Sequence, residues 1–568
     1  MKVLIIGGVA GGATAAARLR RLDENAEIII IERSGFVSYA NCGLPYYIGG
    51  TITDRGALTL QTPESFRSRF RIDVRVNEEA EKIDPTAKTV TIRRHTDGTV
   101  YTESYDKLIL SPGAKAVVPE VSGVHGDRIF TLRTVEDTFR IREFIETSHP
   151  KQAVVVGGGF IGLEMAENLI HDDIGVTLLQ RSEQVLPPMD YDMACEIHSY
   201  LRMNGVDLRV KQTVAGYEPD DNGGIRVLLK EGEPIRADFV ILSVGVIPET
   251  HLAEEAGLNL GMKKSILTDE HMKTSDDNIY AVGDAVCVKN FISGREALIS
   301  LAGPANKQGR IAADNICGIP SSFSGSQGSS VIKLFGMTAA STGLNEKTVQ
   351  AAGIAYDKVY TFSASHATYY PGATNMSVKT LFCPETGKIL GAQIVGFEGV
   401  DKRIDVLATA IRAGMTAADL EELDLAYAPP YSSAKDPVNM AGYVIENVRS
   451  GLVKQFHWHD IEEIAKGDDA LFLDVRTDEE YRRDGHLPQM TLHIPLDQLR
   501  ENLDRLDPQK KIYVNCHSGL RSYIACRILS ARGFDCYNLA GGFRLYLQIS
   551  GNSSYDPSPR YPCGIVMD

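Results

Sequence analysis

The feature that most restricts this chain is a pattern it carries twice, 150 residues apart: a short apolar strand, a glycine-rich loop, a helix and a second apolar strand. In the first copy Lys2 to Ile6 is the strand and Gly7-Gly8-Val9-Ala10-Gly11-Gly12 the loop. An Ala-rich helix from Ala13 to Leu22 follows, then a strand from Glu27 to Ile31 that ends in Glu32 and Arg33. Glycines in such a loop permit a tight turn and close backbone approach to a pyrophosphate. The helix N-terminus faces the phosphates, and an acid after the second strand takes ribose hydroxyls. Val9 stands where the usual fingerprint has its middle glycine. In the second copy Lys151 to Val156 leads into Gly157-Gly158-Gly159-Phe160-Ile161-Gly162, which has all three fingerprint glycines, and the strand Val176 to Leu179 ends in Gln180-Arg181. An acid at that point favours NADH and an arginine cluster NADPH, so Gln180 leaves NADH or NADPH open. Two such loops imply two dinucleotides.

At 568 residues the chain is too long for one core and implies several domains. Its net charge of -15 argues against a general nucleic-acid or anionic-membrane binder, since both would repel it. Nine cysteines show neither a disulfide framework nor paired metal-ligand spacing. Lys2 opens a strand directly, with no apolar signal core and no run of about twenty apolar residues. The expected location is cytoplasmic, with no membrane association and no nucleic-acid partner.

One cysteine stands apart. Cys42 lies in Ser38-Tyr39-Ala40-Asn41-Cys42-Gly43-Leu44-Pro45, just after the first nucleotide unit, and the next cysteine is Cys195. A free cysteine is commonly a buried core residue; here the polar turn and the adjoining nucleotide unit favour a reactive thiol that works alone. Thr14, Arg18 and Arg21 share one face of the first helix, and Arg67, Arg69 and Arg71 form a second basic group. Such charges are usually a solvated face, but on an acidic protein they also suit a phosphorylated thiol carrier.

From about Ser330 the pattern changes to alternating strands and a helix from Asp401 to Ala413, and after Asn447 to Lys454 the chain starts afresh. There Lys511 to Val514 reads as a buried strand running into Cys516-His517-Ser518-Gly519-Leu520-Arg521 and a helix. A thiol at that turn meets backbone N–H groups, a helix dipole and Arg521, all expected to favour thiolate or an anionic persulfide. Cys526 and Cys536 read as structural.

The segment Thr274 to Ala285, ending Gly283-Asp284-Ala285, and Leu301-Ala302-Gly303-Pro304-Ala305-Asn306-Lys307-Gln308-Gly309 resemble the pyridine-nucleotide disulfide oxidoreductases. That resemblance implies FAD at the first site, with Gly113, Gly283, Asp284, Pro304 and Ala305 beside it, and a nicotinamide nucleotide at the second. Within the family, Ala40 to Tyr46, Ala367-Thr368-Tyr369-Tyr370-Pro371-Gly372 and Ala426-Tyr427-Ala428-Pro429-Pro430-Tyr431-Ser432 resemble the coenzyme A-disulfide reductases. It implies a homodimer in which Tyr369 and Tyr427 approach the partner's active thiol. It also implies coenzyme A contacts at Thr14, Arg18, Arg21, Ser38, Asn41, Arg71 and Lys435. The last module resembles a single-domain rhodanese with Cys516 as nucleophile and Arg521 beside it; a phosphatase loop would carry one more residue between Cys and Arg.

These resemblances imply an α/β chain. The expected FAD-binding domain is 1–112 with 245–325, followed by a Rossmann-like NAD(P)H-binding domain at 113–244. An α+β dimerisation domain at 326–446, a linker at 447–457 and an α/β rhodanese domain at 458–568 complete it. The implied activity is NAD(P)H-dependent reduction of coenzyme A persulfide or polysulfide through a Cys42–coenzyme A mixed disulfide, with release of hydrogen sulfide and sulfane sulfur delivered by Cys516. A coenzyme A-disulfide reductase with an ancillary rhodanese is the same-class alternative, and a sulfur carrier or redox sensor with a structural flavin the alternative of another class. Peroxide chemistry is disfavoured, because the first glycine loop lacks the histidine of the single-cysteine peroxidases. A glutathione-reductase-like dithiol is disfavoured because Tyr47 stands where its second cysteine would.

Overall fold

The computed structural model describes residues 1–221 and 223–551; Cys563 and the proline-containing tail lie outside the described residues. The chain forms two compact units, Met1–Val185 with Gly205–Gly328, and Leu186–Asn204 with the chain from Ser329 onward.

In the first unit the apolar runs at each glycine loop become the central strands of two parallel sheets. Strands buried on both faces read as unbroken apolar sequence, because helices cover a parallel sheet from either side. One sheet has the order Ile279–Ala281, Lys107–Leu110, Lys2–Ile6, Glu27–Glu32, Asp73–Val76, with Leu4 opposite Ile29 and Leu108. The strand Ile279–Ala281 joins this sheet from far along the chain and brings Gly283 and Asp284 to its C-terminal edge. The second sheet has the order Asp207–Arg209, Gly175–Leu179, Gln152–Val156, Phe239–Leu242, Ile129–Thr131. In both, the glycine loop leaves the carboxyl end of the middle strand, where open α/β sheets bind ligands.

The second unit opens on a five-stranded antiparallel sheet in the order Ser330–Leu334, Met337–Gly343, Ile389–Gly396, Asn375–Phe382, Asp357–Ala364. Every residue of Asn375–Phe382 and Ile389–Gly396 is buried, polar ones included. The reason lies partly in the helix Tyr191–Met203, which the sequence places in the nicotinamide half and which in the structure belongs to this unit. Lys379, fully buried in the sheet, places its ammonium 2.9 Å from Asp190 and Asp192 at the start of that helix and 2.5 Å from Glu346. Tyr360 donates to Asp192 at 2.5 Å, and Gln393 donates to Asp190 at 2.6 Å. Buried charge is tolerated only when paired in this way, so the network fixes where the helix docks.

The chain then enters a parallel five-stranded sheet, ordered Lys454–Phe456, Cys536–Leu539, Lys511–Asn515, Ala470–Asp474, Leu492–His493. Cys516 follows its middle strand. Gln455 donates to the Lys358 carbonyl at 2.8 Å and Ser199 to Gln548 at 2.9 Å, tying this sheet to the antiparallel one and to the helix Tyr191–Met203. Among the described residues no helix is long and apolar enough to cross a membrane.

Candidate active site

The two glycine loops are near copies at the atomic level. Gly7 and Gly157 both have positive φ (+95° and +108°), a region side chains avoid. A Cβ on Gly12 would lie 1.9 Å from the Gly7 carbonyl oxygen, and one on Gly162 1.9 Å from that of Gly157, so neither tolerates a side chain. The middle position differs. A Cβ at Gly159 would meet nothing within 4 Å, which explains why the first loop accepts Val9 with ordinary negative φ. The helices Ala10–Leu22 and Phe160–His171 both begin without a side-chain cap, leaving their N-termini open to an anion. The donor set therefore fits a dinucleotide pyrophosphate at each loop. Glu32 accepts from the Gly8 amide at 2.9 Å and the Ser34 amide at 3.0 Å, while burial pushes its carboxyl above the ordinary range. Gln180 makes the equivalent bond to the Gly158 amide at 2.9 Å, so an uncharged amide replaces the acid in the second unit. Arg33, beside Glu32, pairs with Glu249 at 3.3 Å.

Cys42 occupies a single 3₁₀ turn, Asn41–Gly43, that runs into the short helix Leu44–Ile48 with Pro45 in its first turn. The Ser38 amide donates to the Gly8 carbonyl at 2.8 Å and seats this turn on the first glycine loop. Ser38 itself takes a positive φ of 50°. Arg133, absent from the sequence reading, organises the surroundings. Its guanidinium donates to Asp284 at 2.7 Å and to the Ala114 carbonyl at 3.0 Å, and the Asn41 amide bridges Arg133 Nη1 (3.3 Å) and its carbonyl (3.1 Å). Asp284 is thereby linked to the Cys42 turn, and Gly283 is held by Gln308 at 2.7 Å from the helix Ala302–Ile316 that carries Pro304 and Ala305. Gly113 sits with positive φ beside Arg133, a Cβ there falling 3.6 Å from the guanidinium.

The sequence predicts a reactive thiol at Cys42, and the residues around it bear on its protonation. Burial of the sulfur and the charge of Glu164 raise the thiol pKa, with Arg133 opposing and Asp284 adding to the rise. Glu164 lies on the helix that starts at the second glycine loop. Burial and the neighbouring Glu167 push its own carboxyl up to about 7. The sequence signal for it was its position two residues after Gly162 in the fingerprint helix.

In the second unit the two segments bearing Tyr369 and Tyr427 converge, and the hydroxyls lie 2.7 Å apart. Both tyrosines are exposed, Tyr369 by 73% and Tyr427 by 46%, which is unusual for aromatic side chains and leaves them available to another chain. They are positioned by Arg403, also absent from the sequence reading. This fully buried guanidinium pairs with Asp436 at 3.0 Å and donates to the Ser365 carbonyl (3.1 Å) and Ser432 hydroxyl (3.0 Å), one from each tyrosine segment. Lys435 is exposed next to Asp436.

The basic face expected to hold coenzyme A divides. Arg21 is exposed. Arg71 ends its helix in the left-handed region and, among the described residues, reaches Glu24 at 3.4 Å on the surface. Arg18 instead pairs with Asp314 at 2.7 Å and Thr14 donates to Asn306 at 2.8 Å, both across to the helix Ala302–Ile316. Their polar atoms have structural partners, and the charge of Arg18 is compensated before any ligand arrives.

Cys516 is 1% exposed, and its sulfur accepts from the Gly519 amide at 3.1 Å and the Ser522 hydroxyl at 3.2 Å. The loop is closed by the Phe543 and Arg544 amides, which donate to the Cys516 and His517 carbonyls at 2.8 Å. Arg521 lies in the first turn of the helix that follows this loop. Its guanidinium forms a twofold ion pair with buried Glu480, at 2.7 Å for each bond. Burial alone would raise the Glu480 carboxyl, but Arg521 and the Thr477 amide hold it at about 2. Arg521 therefore braces the loop, and Ser522 supplies the polar contact to sulfur.

Comparison with known proteins agrees with this geometry. Residues 1–309 match the pyridine nucleotide-disulphide oxidoreductase model, 329–437 the dimerisation domain of the same family and 458–548 the rhodanese-like domain. A coenzyme A disulfide reductase of Staphylococcus epidermidis is 37% identical over 443 residues, 78% of this chain and 99% of that protein. The solved structure of reduced CoADR-RHD from Bacillus anthracis superposes with a TM-score of 0.94 at 47% identity, covering 97% of this chain and 98% of that one. A NAD-dependent persulfide reductase from A. fulgidus gives a TM-score of 0.89 at 38% identity, over 96% and 100%. The chain belongs to the pyridine nucleotide-disulphide oxidoreductase family, as an FAD- and pyridine-nucleotide-dependent reductase that carries a rhodanese-like domain after its dimerisation domain.

Proposed function

We propose that this enzyme uses NAD(P)H to reduce coenzyme A persulfide or polysulfide, and coenzyme A disulfide, through Cys42, releasing hydrogen sulfide, while Cys516 supplies sulfane sulfur. The observation that carries the reading is the presence in one chain of two thiols built for different sulfur chemistry: a solitary Cys42 in a turn seated on the first glycine loop, and Cys516 under two donors aimed at its sulfur. The names of the relatives, coenzyme A disulfide reductase and NAD-dependent persulfide reductase, support it.

When bound, FAD passes the electron pair of the nicotinamide nucleotide on to sulfur. At rest Cys42 is a mixed disulfide with coenzyme A; two electrons cleave that S–S bond to give the Cys42 thiolate and coenzyme A thiolate. The Cys42 thiolate attacks the outer sulfur of a persulfide, forming a Cys42 persulfide and freeing the thiolate of the carrier. A second electron pair and protons then release hydrogen sulfide and restore Cys42. Tyr369 and Tyr427 of a second copy would donate hydrogen bonds or a proton to the departing thiolate, and Arg21, Arg71 and Lys435 would hold coenzyme A phosphates. Ser522 and the Gly519 amide would stabilise an anionic persulfide on Cys516.

Steady-state NAD(P)H oxidation tests this. Cys42→Ser should abolish turnover with coenzyme A persulfide, and full turnover in that variant would refute the scheme. Cys516→Ser should keep coenzyme A disulfide reduction and lose use of free polysulfide; an unchanged polysulfide rate would remove the relay. A coenzyme A disulfide efficiency far above that for persulfide would favour a thiol-balance role instead.

A further inference from the structure

The rhodanese-like domain carries two thiols that this scheme does not use. Cys526 lies on the helix Leu520–Ser530, whose first turn holds the Cys516 sulfur, and Cys536 opens the neighbouring strand Cys536–Leu539. Both are free and buried, and both belong to the same apolar core as Cys516. The Cys536 sulfur donates to the Cys526 carbonyl oxygen at 3.3 Å, and each thiol shifts the pKa of the other, Cys526 upward and Cys536 downward. Ser530 also contacts Cys536 Sγ at 3.3 Å. Ser530 and the turn Ala531–Gly533 are exposed, so Cys536 stands directly behind a surface turn.

We propose that Cys526 and Cys536 form an oxidation site, closed by disulfides and polysulfides into a cross-link between the helix that holds the loaded sulfur and the strand beside it. The Cys536 thiolate attacks one sulfur of an incoming S–S bond, forming a mixed disulfide or persulfide and expelling the other sulfur as a thiolate. The Cys526 thiol then attacks Cys536, forming the Cys526–Cys536 bond, expelling the second sulfur as thiolate or hydrosulfide and releasing one proton. Two thiols lose two electrons and one S–S bond of the oxidant gains them. The bonds from Cys526 and Ser530 hold Cys536 down at about 7, which keeps a useful fraction of the attacking thiolate near neutral pH. Because the same helix presents Ser522 to Cys516, the cross-link restrains the element on which sulfur loading depends.

The test uses the full-length holoprotein exposed to sodium tetrasulfide or to coenzyme A disulfide, then blocked with iodoacetamide, digested with trypsin and mapped by mass. The sequence separates the two cysteines into the peptides Ser522–Arg527 and Gly533–Arg544. The expected product is one linked species of these peptides that disappears on reduction with dithiothreitol. It should also form in a Cys42→Ser/Cys516→Ser protein, which separates this result from any failure of the proposed turnover. Recovery of both cysteines as alkylated thiols after tetrasulfide has loaded Cys516 would overturn the proposal. So would the same linked mass from a Cys536→Ser protein, a variant expected to keep the original rate of coenzyme A disulfide reduction.

Discussion

Cys42 stands in an exposed turn and Cys516 is almost wholly buried, yet it is the buried sulfur that has hydrogen-bond donors aimed at it. Although Cys42 is exposed as a residue, its sulfur is partly enclosed, and that enclosure, followed by the charge of Glu164 and more weakly that of Asp284, raises the thiol pKa against Arg133. Around Cys516, Arg521 pairs with Glu480, and two neutral donors, the Gly519 amide and the Ser522 hydroxyl, face the sulfur. The difference teaches that the two thiols are prepared at different times. The Cys516 site is assembled within the rhodanese-like domain, from the loop, the helix that follows it and the Phe543 and Arg544 amides. In the proposed scheme the Cys42 site depends on groups brought to it, with the exposed tyrosine pair of a second copy as the supplier.

The largest blow to this contrast is Arg403→Met. It removes the buried guanidinium from Asp436, leaving Lys402 at 3.9 Å as its cation, a loss of about 3–5 kcal/mol, and separates the segments that carry Tyr369 and Tyr427. We expect a lower denaturation midpoint and a fall of at least tenfold in kcat for coenzyme A disulfide, measured on the folded fraction; an unchanged kcat would detach the tyrosines from Cys42.

Glu480→Gln comes next. The folded pKa of Glu480 is about 2, below its unfolded value, so the pair with Arg521 contributes stability above roughly pH 4.5 and loses it as pH falls toward 2. The variant should lose about 3 kcal/mol at neutral pH, and its unfolding curve should converge with that of the original protein in acid. Parallel curves at every pH would show the ion pair to be dispensable.

Ser522→Ala removes one bond to the Cys516 sulfur. A hydrogen bond to a charged group is worth about 1.5–3 kcal/mol, so sulfur transfer should fall about 10- to 100-fold while coenzyme A disulfide reduction holds. The smallest effect is Glu164→Gln. Glu164 titrates at about 7 and, once ionised, raises the Cys42 pKa. In the variant, once reduction has freed Cys42 of coenzyme A, iodoacetamide should alkylate it faster above pH 7, by roughly threefold, with the two profiles meeting below it. Identical profiles would remove Glu164 from the Cys42 environment.

Both glycine loops, the acid at Glu32 and the amide at Gln180 were legible because each is a local pattern whose atoms close on themselves within some thirty residues. The two cysteine turns were legible for the same reason. Arg133 and Arg403 were not, since an arginine in a helix-rich sequence resembles any surface cation until its partner is known. Their partners are Asp284, 151 residues away, and Asp436, 33 residues away. For Arg521 the sequence showed its place beside Cys516 but not its pairing with Glu480, 41 residues away. Ser522 was within reach of sequence reasoning, being one helical turn beyond Gly519.

What the sequence by itself determined is where the backbone is shaped to meet phosphate and where sulfur sits, because glycine sterics, strand periodicity and a strand-to-helix turn are properties of neighbouring residues. Only the tertiary structure decided which charges remain available to chemistry. Arg18, Arg521 and Lys379 each found a carboxylate far along the chain, and a buried or half-buried ion is held by whichever opposite charge the fold brings to it, not by the residues beside it in sequence.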